Sequence, residues 1–193
     1  SMQWSPFSKY RLVESIIIEE KEGYPKFTLQ YTKSFEDVIG SDLSFSKYDL
    51  RITQKFMHSE ESNTLFVLTS GLADGDAPLT HVYHAYPNQI TKETILQRFT
   101  IAGINSFETM YFNEFFSDKI MTFRAKHEFN RFNISRRFRP QLALLTKFAI
   151  GDMQNPEQHE GISFNTLEHG FLESGFEINK LLLGFGLRDR KST

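Results

Sequence analysis

The stretch MTFRAKHEFN, from Met121 to Asn130, constrains the fold more than any other part of this chain. Met121, Phe123, Ala125, His127 and Phe129 alternate with Thr122, Arg124, Lys126, Glu128 and Asn130. A period of two places these sets on opposite faces of a β-strand. One face is apolar except at His127; the other carries both signs of charge. The run is about ten residues long, against the roughly 5–6 usual in soluble sheets.

The same alternation recurs along the chain. In KFTLQYTKS (Lys26–Ser34), Phe27, Leu29 and Tyr31 oppose Thr28, Gln30 and Thr32. In RFRPQLALLTKFAI (Arg137–Ile150), Phe138, Leu142, Leu144, Phe148 and Ile150 share a face. LSFSKYDLRITQKFM (Leu43–Met57) also alternates, but its apolar phase slips between Phe45 and Tyr48, as a β-bulge would cause. Tyr10–Glu20, Thr64–Leu72, Thr94–Ile104, Lys119–Phe132 and Phe171–Leu187 read as further strands, the last as one strand or as two broken near Asn179–Lys180. Phe107–Phe116 reads as a strand end or a short helical turn; Ala73–Glu93 and Gly151–Gly170 read as irregular. The expectation is an all-β chain, an antiparallel up-and-down β-barrel or part of one, with about eight long strands and little helix. No repeat, low-complexity tract or linker divides it, so residues 1–193 are expected to form a single region.

A net charge of −2 gives no bulk attraction to nucleic acid, and none is expected as a partner. The absence of cysteine excludes disulfides, thiolate catalysis and cysteine-based metal sites. No run approaches the roughly 18–20 apolar residues of a membrane-spanning helix. A mean hydropathy of −0.39 does not bear on a β-barrel, whose alternating strands produce no hydropathy peak. The 20 phenylalanines and 7 tyrosines suit strands, membrane interfaces and ordinary cores alike.

Periodicity leaves two architectures open. In a soluble sheet the ionic face meets water and the apolar face meets a core; in a lipid-embedded barrel the apolar face meets acyl chains and the ionic face looks into a wet lumen. Strand length favours the barrel. There, His127 should lie near an interface, where a polar group costs little.

Candidate sites are few. His81 and His84 (HVYH) could form a metal pair on a helix, but the flanking prolines make a polar loop the better reading. Asp74–Asp76 (DGD) lacks the alternating ligands and downstream glutamate of a calcium loop, and reads as a turn. Gly184–Gly186 (GFG) is no phosphate-binding fingerprint, since no helix follows, and suits a strand bend. Arg136–Arg139 (RRFR) suits a lumen or interface position. Glu108, Glu114 and Asp118, with His127 nearby in sequence, include an imaginable acid–base pair, but nothing supplies a nucleophile or oxyanion donor. The expectation is therefore no enzyme, no catalytic or cofactor-binding residue, no metal site and no cofactor.

FETMYFNEFFSDKIMTFRAKHEFNRF (Phe107–Phe132) resembles a recurrent segment of Bacteroidota outer-membrane proteins in which a carboxypeptidase-regulatory-like domain precedes a barrel related to the surface-antigen, BamA/TamA-like barrels. FNEFFSDKIMTF carries most of the likeness. YPKFTLQYTKSFEDVIGSDLSFSKYDLRITQKF (Tyr24–Phe56) and GISFNTLEHGFLESGFEINKLLLGFGL (Gly161–Leu187) agree in order and spacing, so the likeness spans Lys9–Leu187. It implies the C-terminal part of a larger protein in the outer membrane of a Gram-negative bacterium, with a structural, transport or assembly role. Its implied partners are outer-membrane lipid, the barrel-assembly machinery and the remaining strands of the parent barrel. The terminal RDRKST departs from the aromatic insertion signal that ends such barrels. Ser1–Met2 reads as a fragment start. Two rivals stand beside this reading: a soluble all-β module enclosing an apolar ligand, and, more remotely, a metal-dependent hydrolase using His81 and His84.

Overall fold

The structure is a computed structural model that describes residues 1–36, 43–85, 87–89, 106–135, 138–159, 161–182 and 185–192. Its strands are β1 (Met2–Trp4), β2 (Lys9–Val13), β3 (Ile16–Lys21), β4 (Lys26–Lys33), β5 (Phe45–Met57), β6 (Asn63–Gly75), β7 (Pro87–Gln89), β8 (Phe107–Tyr111), β9 (Lys119–Glu128), β10 (Gln141–Asp152), β11 (Phe171–Leu182) and β12 (Phe185–Ser192). The described residues contain no α-helix, only a 3-10 turn at Pro156–Gln158. The all-β expectation therefore holds.

Eight strands form one antiparallel sheet in the order β1-β4-β5-β6-β9-β10-β11-β12. From β4 onward each strand of this sheet pairs with the next one in the chain, which is the expected up-and-down order. The sheet does not close into a barrel among the described residues. β1 and β12 end the strand order, and no register joins them.

Register carries the apolar pattern across the sheet. Trp4, Phe27, Ile52, Leu68, Phe123, Phe148 and Leu172 lie side by side in one row. Because side chains alternate, neighbouring rows on the same face take every second residue. Met2, Leu29, Leu50, Ser70, Met121 and Ile150 form one of them. Every residue of this face shown for β10 is exposed or half-buried, while its partners on the other face are buried: Leu144 is 48% exposed and Ala143 fully covered.

The covered face is the ionic one. Thr53, Val67, Arg124, Lys147 and Glu173 share a row, and Leu65, Lys126, Leu145 and Gly175 share the next. Its cover comes from the chain between β6 and β9 and between β10 and β11. β8 pairs in parallel with β7, and Tyr83 bridges to Ser117. Ala85, Phe107, Met110 and Leu167 from these segments pack on Ile120 and Ala149 of the sheet. The covered side is thus filled by a small apolar core at one end as well as by charge, where the sequence suggested only a wet lumen.

Two strand expectations need correction. Tyr10–Glu20 is not one strand: the chain reverses at Glu14 and Ser15, both at positive φ (49° and 73°), to make the β2–β3 hairpin. β5 has no bulge, for its registers with β4 and β6 run unbroken. The phase slip has another cause: Phe45 points to the covered side, 5.1 Å from the His81 ring, while Tyr48 points outward. Phe171–Leu187 is two strands, β11 running on to Leu182 and β12 starting at Phe185, and their pairing shifts register between Ile178 and Leu182, beside the expected Asn179–Lys180. Thr94–Ile104 lies outside the described residues.

Candidate functional site: a buried ionic face

On β10 and β11 the alternation that turns Leu144, Phe148, Leu172 and Phe176 outward turns Lys147 and Glu173 inward, directly opposite each other. The side chain of Lys147 is 2% exposed and that of Glu173 is 1% exposed. β8 brings a third charge, Glu108, which is 1% exposed. Lys147 Nζ stands 3.6 Å from Glu108 Oε1 and 3.8 Å from Glu173 Oε1. It also donates to the Ser106 carbonyl. Glu173 Oε2 accepts from the backbone N–H and hydroxyl of Thr109, at 2.9 and 3.0 Å. Ser106 Oγ donates to Glu108 Oε1 at 2.9 Å. Two cations lie over the Phe107 ring, Arg124 at 5.6 Å and Lys147 at 6.0 Å from its centre. A buried ion costs several kcal/mol unless its partners are this complete. The cluster therefore locks β8 onto the sheet. Every carboxylate oxygen named here has a partner.

Farther along β9, Lys126 Nζ pairs with Glu128 at 2.9 Å and with Glu177 of β11 at 3.0 Å. Beside the β8 cluster, a cavity of about 530 Å³ lies between the sheet and the chain at 80–85. Its wall includes Lys47, Asp49 and Arg51 of β5, Thr69 of β6, and Thr122 and Arg124 of β9. Tyr83 covers it and donates its hydroxyl to Asp49 Oδ1 at 2.8 Å. Gly71 makes room for that ring, since a Cβ there would sit 2.4 Å from a ring carbon.

The residues singled out in the sequence scatter. His81 contacts the Thr80 hydroxyl at 3.0 Å, and His84 lies beside the Phe116 ring and borders the cavity. Among the described residues no group of three or more histidines or carboxylates is placed to hold a metal. Asp74–Asp76 end β6 in a turn, where Gly75 has φ 94° and the Asp76 N–H donates to the Ser44 carbonyl. Arg136, Arg137 and Gly184 lie outside the described residues; Gly186 belongs to β12. Glu114 accepts from the Tyr111 N–H and Asp118 from the Gln154 N–H, so neither joins Glu108 in its cluster. His127 faces the opposite side of the sheet from Glu108. It lies one residue from the end of β9, bonded to the Thr64 hydroxyl at 2.8 Å. Sequence reasoning named Glu108 but missed Lys147 and Glu173. The signal was present: each is a charge in the polar phase of a strand whose other phase is apolar.

No family model matches the chain, and neither does any curated protein or solved structure.

Proposed function

We propose that this chain is part of an outer-membrane β-barrel of a Gram-negative bacterium, with a structural, transport or assembly role and no catalytic chemistry. One observation carries the reading: the apolar face of the sheet is the outward one and the ionic face the covered one. Soluble monomers rarely expose a contiguous apolar patch beyond roughly 300–600 Å². Here aliphatic and aromatic side chains run outward across the width of the sheet. From Tyr48 to Phe56, β5 spans about 27 Å at 3.4 Å per residue. With strand tilt, that approaches the apolar band of about 25 Å found in outer-membrane barrels. Tyr31 and Tyr48 pair at one limit of this band, ring centres 5.0 Å apart, and Phe56 and His127 stand at the other. Aromatic girdles occupy such levels in membrane barrels. The resemblance of Phe107–Phe132 to Bacteroidota barrels points the same way, as does the open sheet, which asks for further strands of a parent barrel. Lipid and the barrel-assembly machinery are then the partners. Phe45 and Phe107 are buried on the covered side, but Phe27, Phe66, Phe123, Phe148 and Phe176 lie on the outward face, where a module enclosing an apolar ligand would not place them.

Trp4, the only tryptophan, lies in the middle outward row, so it reports on the medium directly. In the parent protein with its other tryptophans replaced, brominated acyl chains should quench Trp4 emission, and detergent-free lysis should leave the protein in the outer-membrane fraction. Recovery in the soluble periplasmic fraction, with Trp4 unquenched, would overturn the reading.

A further inference from the structure

We infer that His58 and His127 form a binding site for a divalent transition-metal ion that favours imidazole ligands, copper(II) or zinc(II). The two rings come from different parts of the sheet. His127 of β9 lies directly opposite Thr64 of β6, and Thr64 lies directly opposite Phe56 of β5. His58 stands two residues after Phe56, where β5 turns into β6, and its ring returns over Thr64. His58 Nε2 lies 2.7 Å and His127 Nδ1 2.8 Å from one atom, Thr64 Oγ1. The ring centres are 5.6 Å apart and the planes meet at 52°. Two imidazole nitrogens thus converge on a single point. The sequence suggested His81 with His84 as a metal pair; the pair that folding brings together is a different one.

An imidazole nitrogen holds zinc at about 2.0–2.1 Å, so each ring has to come about 0.7 Å closer to the ion than it now stands from the Thr64 oxygen. Side-chain rotation supplies a shift of that size. The Thr64 hydroxyl carries one hydrogen and donates to only one ring; the other ring donates its own N–H. One nitrogen is therefore already bare, and the second becomes bare when its proton moves to the far nitrogen of the same ring. The supports are fixed before an ion arrives. The His58 N–H donates to the Ser62 carbonyl at 3.0 Å, and Ser59 Oγ of the same turn donates to Asn130 Oδ1, just past His127, at 2.6 Å. The Phe129 ring meets His127 edge to face, centres 4.4 Å apart. His58 is exposed, so the pair is open to a solute. Among the described residues no third histidine or carboxylate completes the set, and the remaining positions fall to water. Two nitrogen ligands favour copper(II) and zinc(II) over magnesium, which takes oxygen. The pair sits at the end of the sheet, and the inference stands whichever medium meets the apolar face.

The test is calorimetric titration of the whole untagged chain, kept monodisperse in a mild detergent, with copper(II), zinc(II) and magnesium chlorides. Copper should bind saturably and more tightly than zinc, and magnesium should not bind. Electron paramagnetic resonance of the copper-loaded chain should show coupling to two imidazole nitrogens. His58→Ala and His127→Ala should each weaken copper binding by roughly tenfold or more, since losing even a supporting group around a metal costs that much. His58→Ala, on an exposed turn, decides the matter if His127→Ala does not fold. His169→Ala, at a histidine whose side chain is 89% exposed, should change nothing. The inference falls if copper binds the folded His58→Ala variant as tightly as the native chain, or if the native spectrum shows coupling to fewer than two nitrogens.

Discussion

At Lys147, one ammonium serves two carboxylates under a covering strand, and each of the three charges is all but sealed from solvent. Replacing the lysine leaves Glu108 and Glu173 facing each other without their shared cation. Lys147→Met should therefore cost about 3–5 kcal/mol, measured by urea unfolding in detergent micelles. Adding Glu173→Gln to that variant should recover part of the loss, because the remaining neutral amide can still accept from Thr109. Gly71 makes a second residue-scale case. A methyl group at Gly71 overlaps the Tyr83 ring, so Gly71→Ala should cost about 1–3 kcal/mol through displaced packing. Tyr83→Phe should cost only about 1 kcal/mol, for the hydroxyl bond to Asp49. If the two variants proved equally stable, Tyr83 would not be seated by close approach to the sheet.

The β2–β3 hairpin is the element whose surroundings are least familiar for a strand pair. Leu12, Ile16, Ile17 and Ile18 are exposed on it, Ile17 at 71%, so it buries little apolar area of its own. Its base is held by polar groups instead. Ser8 Oγ donates to Glu19 at 2.5 Å, Lys26 Nζ reaches Glu19 at 3.0 Å, and the Gly23 N–H donates to Ser8 Oγ at 2.9 Å. The Ser8 hydroxyl, with the Lys26 ammonium, holds the Glu19 carboxyl below its ordinary pKa near 4.5. A carboxyl depressed by folding stabilises the fold above its unfolded value, and that contribution is lost as pH falls through the folded one. Protection of the Gly23 amide from hydrogen exchange should thus be constant from neutral pH down to about 4.5, then fall. Glu19→Gln should flatten that profile; an unchanged profile would mean Glu19 does not anchor the hairpin. This element was also the least legible in the sequence. A two-residue reversal at positive φ is announced by Asn-Gly or Asp-Gly, and Glu14-Ser15 announces nothing. β4, β9 and β10 were legible because clean alternation survives any packing. The slip at Phe45 was visible, but a bulge and an aromatic crossing to the covered face write the same pattern. That β8 supplies Glu108 to Lys147 depends on a long-range return of the chain, which no local period encodes.

For the molecule as a whole, the meaning of the sheet lies in which face is outside. If hydrocarbon meets the outward rows, a charge placed there should be penalised by depth. Phe123→Arg, in the central row, should cost about 2–4 kcal/mol in lipid vesicles, and Tyr48→Arg, near one limit, about 0–1 kcal/mol. Equal costs at the two positions would mean that depth plays no part. The candidate site could be read from sequence only as far as the inward phase of each strand; which inward charges meet was set by register and by the inserted cover. That cover has one more consequence. Surface ion pairs weaken as added electrolyte crowds around them, but Lys147, Glu108 and Glu173 stand where mobile ions scarcely reach. Molar sodium chloride should loosen the exposed Arg131–Glu61 pair and leave β8 fastened in place.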